Sequence, residues 1–97
     1  MLFAMIAKDA PGSGEKRAAT RPVHLDHLNA MGETLVMAGA LLDGEGNPEG
    51  SLIVIEAASL EAATTRLMAD PFVAEGIFGD VEIKPWRVAI NHTGREV

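Results

Sequence analysis

Arg17, Arg21 and His24 are the residues whose types and spacing point most clearly to chemistry. At about 100° per residue on a helix, they share one stripe, roughly 80° wide, with Leu28 and Met31. That stripe is the one expected to face a sheet, with Asp26 on the opposite side. Charged groups on a buried face are costly unless paired. Three potential cations in successive turns also repel one another, so the face must meet an acid, an anion or a polar cavity. The plainer alternative is that the guanidinium groups reach back to water at the helix start and His24 is a satisfied core residue.

Asp70 is the natural partner for His24. In Asp70-Pro71 the aspartate suits a helix cap and the proline the first helical position. One carboxylate oxygen can cap while the other faces a pocket. An aspartate–histidine pair fixes one imidazole tautomer and fits the ring for moving a proton. Ser51 opens a strand and has no identified base, so it is expected to hydrogen-bond a ligand rather than attack one. The expected site is therefore His24 and Asp70 as the catalytic pair, with Arg17, Arg21 and Ser51 binding the substrate.

Other patterns are weaker. His24-Leu25-Asp26-His27 invites a metal reading, but a metal site needs three or more converging ligands. Asp26 points away and His92 lies near the end of the chain, so no metal is expected and His27 is assigned to the surface. Gly12-Ser13-Gly14-Glu15-Lys16 lacks the spacing of a phosphate loop and the Ser/Thr after its lysine. The loop at Asp43, Glu45 and Asn47 starts like a calcium loop, but Pro48 stands where glycine is required.

The elements that must position these groups follow from periodicity and turn chemistry. Leu2–Ala7 reads as a buried strand closed by the turn cluster from Asp9 to Gly14. A helix is expected from Glu15 to Met31, stopped by Gly32. Thr34–Leu42 and Ser51–Glu56 flank a Gly/Asp/Asn/Pro loop and should pair antiparallel. Ser59 caps a second helix running to Ala69; Asp70 and Pro71 begin a short turn that Gly76 ends. Val81 and Ile83 alternate with charged neighbours, and beyond Pro85 the apolar parity moves to Trp86, Val88 and Ile90. That change predicts a bulge or a further strand. Trp86 itself suits a core or an interface. The plan is α+β, a ferredoxin-like βαββαβ sandwich with an extra C-terminal strand.

The chain has 97 residues, enough for one domain, with residues 91–97 forming a polar, loose tail. It contains no cysteine, which excludes disulfides and thiol chemistry. A formal net charge of −6, with no basic stripe, argues against nucleic acid as a partner. No apolar run is long enough to span a membrane, and Lys8-Asp9 interrupts the apolar N-terminus too early for a signal peptide. A cytoplasmic location is therefore expected. An apolar share of 47% is high for so small a domain to hide alone, which predicts a homodimer.

Taken in order, Glu15-Lys16-Arg17, Arg21, His24-Leu25 and Leu28 resemble the first helix of the YciI-like (YCII-related) family. Ala38-Gly39, Gly50-Ser51, Asp70-Pro71-Phe72, Gly76 and Lys84-Pro85-Trp86 extend the likeness over nearly the whole chain. The resemblance implies a domain of the dimeric α+β barrel type that dimerises by packing sheets together. It also implies a histidine–aspartate site, which falls here on His24 and Asp70. Folds of this kind include muconolactone isomerase and dehydrochlorinating enzymes of aromatic degradation. Two departures stand out: Pro22 inside the first helix, which should kink or restart it, and Ala40 where many relatives carry proline. The implied activity is that of a small lyase or isomerase, without cofactor, acting on an anionic molecule. Two readings compete with it: a non-catalytic dimeric binder of an anionic metabolite, and a purely structural domain.

Overall fold

A computed structural model describes residues Met1–Val97. The elements run β1 (Leu2–Asp9), α1 (Gly14–Asn29), a 3-10 turn (Gly32–Thr34), β2 (Leu35–Leu42), β3 (Pro48–Glu56), α2 (Leu60–Met68), the short helix α3 (Pro71–Ala74) and β4 (Phe78–Trp86). The four strands form one sheet in the order β2-β3-β1-β4, every neighbouring pair antiparallel. Strands β1 and β2 therefore run the same way with β3 between them, which is the split βαβ arrangement.

Alternation in β1 decides which side is covered. Phe3, Met5 and Ala7 are buried, and they pair across the sheet with Ile55, Ile53 and Ser51 of β3. Leu28 of α1, Ala63 and Leu67 of α2 and Phe72 of α3 pack onto this face to complete the core. All helices thus sit on one side. Gly50 is where β3 must pass closest to β1: a Cβ there would lie 2.4 Å from the carbonyl oxygen of Ala7. No side chain fits, and the strand can keep its place only with glycine.

Caps follow the local sequence. The Ser59 hydroxyl accepts from the amide of Ala62, and Asp70 accepts from that of Phe72, with Pro71 at the first position of α3. Gly76, at φ 70°, ends that turn. Helix α1 runs unbroken through Pro22 and ends at Asn29, two residues short of the expected Met31. Pro22 is exposed, so the carbonyl it leaves without an amide partner can turn to water.

The extra C-terminal strand is not formed. Strand β4 continues through Pro85 to Trp86, with no register shift at Pro85, and the chain beyond has no strand. Trp86 pairs with Leu2, the first residue of β1, so nothing remains in β1 for Arg87 and its successors to pair with. The parity change reflects facing: Val81 and Ile83 pack toward the helices, whereas Trp86 points to the uncovered side of the sheet. No helix is long and apolar enough to cross a membrane.

Candidate functional site

His24 is 6% exposed and Asp70 1%. They meet with His24 Nδ1 2.8 Å from Asp70 Oδ1, the same oxygen that accepts from the Phe72 amide at 2.9 Å. An ionised carboxylate only accepts, so Nδ1 carries the proton and donates it to Asp70. The lone pair is left on Nε2. The second oxygen, Oδ2, is buried without a hydrogen-bond partner. The imidazole lies flat on the Phe72 ring, centroids 3.8 Å apart and planes 2° from parallel. Phe72 is itself braced edge-on by Phe78 at 5.5 Å. Pairing through one nitrogen and stacking on one face fix the ring's direction.

Arg17 behaves differently from expectation. It is buried, and its terminal nitrogens are taken up inside the fold. Nη1 donates to both oxygens of Asp9, at 2.7 and 2.9 Å, and Nη2 to the carbonyl of Gly50 at 3.0 Å and to Ser51 Oγ at 2.9 Å. Its carbon Cζ also lies 4.9 Å from the centre of the Phe72 ring. The acid this cation required is Asp9, which the sequence reading had placed in a turn. The signal was available: Asp9 is two residues beyond Ala7 in β1 and so falls on the covered face. Phe72 entered the reading only as part of a family pattern, because a four-residue helix is too short to show a periodic face.

A cavity of about 440 Å³ opens between α1 and strand β2. His24, Arg21 and Ser51 line it together with the ring of Phe72; the small side chains of Ala38 and Ala40 form the β2 wall. Arg21 is exposed and makes no ion pair, so its charge is available at the rim. Ser51 is 1% exposed and reaches the same cavity from the sheet. The arrangement offers a proton acceptor at Nε2, a cation at the mouth, a hydroxyl in the wall and apolar surface for a flat molecule.

The other histidines stay apart. His27 is half-buried, with Nε2 unpaired, in a groove beside α2, and His92 is exposed. No three His, Asp or Glu side chains converge as metal ligands.

Comparison with solved structures finds 5-chloro-2-hydroxyhydroquinone dehydrochlorinase (TftG) of Burkholderia phenoliruptrix AC1100, in complex with 2,5-dihydroxybenzoquinone. It is 27% identical, matches with a TM-score of 0.83, and the match covers 90% of this chain and 94% of that one. A monooxygenase-type structure from a Bacteroides species matches with a TM-score of 0.59 at 14% identity, which speaks to the fold alone. Among curated relatives, protein YciI of Escherichia coli O6:H1 is 36% identical over 95 residues, covering 90% of this chain and 97% of the relative. A Haemophilus influenzae protein is 33% identical over the same length. The family model of the YCII-related domain matches residues 1–87, and the chain belongs to that family.

Proposed function

We propose that the protein is a small lyase or isomerase acting on an anionic, oxygen-bearing small molecule through the His24–Asp70 pair. The observation that carries the reading is His24 held through Nδ1 by Asp70 and stacked on Phe72, in the wall of a cavity that Arg21 also lines. Nε2 takes a proton from an O–H or C–H of the substrate, and Asp70 stabilises the imidazolium that forms. The electron pair left behind either expels a leaving group, as in a lyase, or receives the proton at another atom, as in an isomerase. Arg21 attracts and orients the anion. This chemistry needs no metal or organic cofactor. The likeness to a dehydrochlorinase of a hydroxylated ring supports the lyase side and suggests an assay compound.

The active form is a homodimer joined through the uncovered sheet face. Ile6, Met37, Leu41, Leu52 and Trp86 are exposed there, and strand register puts them on one side. A contiguous apolar surface of this kind on a small domain favours a partner, and a self-complementary sheet face suits a two-fold contact.

The test is turnover of 5-chloro-2-hydroxyhydroquinone, followed by chloride release, alongside acidic metabolites screened by thermal shift and then by NMR for conversion. The wild type should convert at least one compound. His24→Gln, which keeps a donor for Asp70, should lower that rate by about a hundredfold or more. Equal rates in the two proteins would remove the proposal. Ligands that bind and stay unchanged would favour the non-catalytic binder.

A further inference from the structure

Ser51 occupies a position that proton transfer at His24 does not explain. Its Oγ accepts from Arg17 Nη2 at 2.9 Å. A serine hydroxyl has one proton to give, and a guanidinium accepts nothing, so that proton cannot return to Arg17. The strand neighbours of Ser51 across the sheet are Ala7 and Ala40, whose side chains offer no acceptor. The polar opening left to the hydroxyl is the cavity it shares with His24 and Arg21.

Arg17 explains the quality of this donor. Asp9 balances its charge, the ion pair is mostly shielded from water, and Nη2 is fixed by the Gly50 carbonyl as well as by Ser51. A hydroxyl that accepts from a cation gives up its own proton in a stronger hydrogen bond, and more so away from water. We infer that Ser51 is the hydrogen-bond donor to the oxygen on which charge develops, with Arg17, locked by Asp9, as the positioning residue that polarises it. This deepens the lyase or isomerase reading and rests on it.

Two cations on one helix stripe thereby separate in role. Arg21 is exposed and unpaired, and it recognises an anion of any shape at the mouth. Arg17 also borders the cavity, but its terminal nitrogens are held by Asp9, Gly50 and Ser51, so it acts through that hydroxyl. On the sheet side of the cavity, where Ala38 and Ala40 flank it, Ser51 is the one hydroxyl, and a single hydroxyl donor suits one oxygen of an enol, phenol or quinol ring. A carboxylate has two oxygens and gains most from a forked partner, which Arg17 cannot offer while Asp9 holds it. The substrate class assigned to the site is therefore a flat molecule with an ionisable ring or enol hydroxyl.

Ionisation of bound 4-nitrophenol tests this, because its phenolate absorbs visible light, and benzoate serves as the carboxylate of similar size. The wild-type cavity should hold 4-nitrophenol more in the phenolate form than water at the same pH does. Ser51→Ala keeps the bonds of Arg17 to Asp9 and Gly50, so it should fold. It should lower the phenolate-to-phenol ratio of the bound probe about tenfold while benzoate binds unchanged. Ser51→Thr should restore the ratio. Arg17→Lys, in protein shown to be folded by circular dichroism, should lose the ratio as Ser51→Ala does. Arg21→Ala should weaken both probes alike. An unchanged ratio in Ser51→Ala, equal loss of both probes there, or a wild-type cavity that takes neither would overturn the inference. If His24→Gln stops turnover while Ser51→Ala leaves the ratio intact, the inference falls and the proton-transfer reading stands. If His24→Gln leaves turnover intact while Ser51→Ala loses the ratio, the donor assignment survives and the proton-transfer reading falls.

Discussion

The two faces of the sheet invert the usual distribution of polarity. The face covered by helices, which should be apolar throughout, buries Arg17, His24, Ser51 and Asp70, with Asp9 at its edge. The uncovered face, which should be polar, exposes Ile6, Met37, Leu41, Leu52 and Trp86. Each inversion costs stability unless something compensates. On the covered face the compensation is internal: Asp9 meets Arg17, and Asp70 meets His24. On the open face Val54 is covered within the chain, but these five side chains are not. Buried polarity that is nearly satisfied marks a site, and exposed apolar surface that is not covered marks a partner.

Removing charge on the covered face should break the comparison most severely. Asp70→Asn can keep both hydrogen bonds at Oδ1, because an amide oxygen still accepts from Nδ1 and from the Phe72 amide. It removes only the negative charge beside the imidazolium. The expected result is a rate on the assay substrate about 10²–10³-fold lower, with a circular dichroism spectrum like that of the wild type. Asp70→Ala removes the cap of α3 and leaves His24 unpaired, and should cost about 2–4 kcal/mol in a urea titration. An Asp70→Asn protein as active as the wild type would make the pair a core feature and no more.

On the open face the matching change is Leu52→Glu. Leu52 pairs with Ile6 on one side and Gly39 on the other, near the middle of the sheet. The wild type should elute at twice the monomer mass, and the variant as a monomer, with association weakened by at least about a hundredfold. Sedimentation velocity distinguishes the two. A wild type already monomeric at micromolar concentration would leave the apolar face unexplained by self-association.

The two faces were unequally legible in the sequence. His24 was placed inward by its helical stripe, and Asp70 at a cap by the proline that follows it; both positions hold. Their meeting across 46 residues depended on how α3 docks, which local pattern does not encode. Asp9 was missed as the partner of Arg17 because it opens a turn cluster in the sequence, although continuing the parity of Phe3, Met5 and Ala7 by one step puts it on the covered face. The strand read into Val88 and Ile90 failed because alternation shows only that a segment can pair. The ladder between β1 and β4 already ends at Leu2 and Trp86. In the sequence β1 is an unbroken apolar run from Leu2 to Ala7, which does not say which of its faces the helices will take.

The smallest expected effect lies where the covered face meets solvent, at the β2–β3 turn. Asp43 Oδ1 accepts from the amides of Glu45 and Asn47, at 2.8 and 3.0 Å, and Asn47 with Pro48 forms part of the cavity rim. The amide of Asn47, then that of Glu45, hold the Asp43 carboxyl below its ordinary 3.8. The folded carboxyl is thus the more acidic one. Its contribution is present in full above the unfolded value and disappears as pH falls through the lower folded value. Asp43→Asn keeps an acceptor oxygen but no charge, so it should melt slightly below the wild type at neutral pH, by about 2 °C. The two melting curves should converge as pH falls from neutral through the lowered folded value, below which the wild-type carboxyl is also neutral. A gap that persists at the acid end would mean that shape at the turn, and not charge, holds the rim.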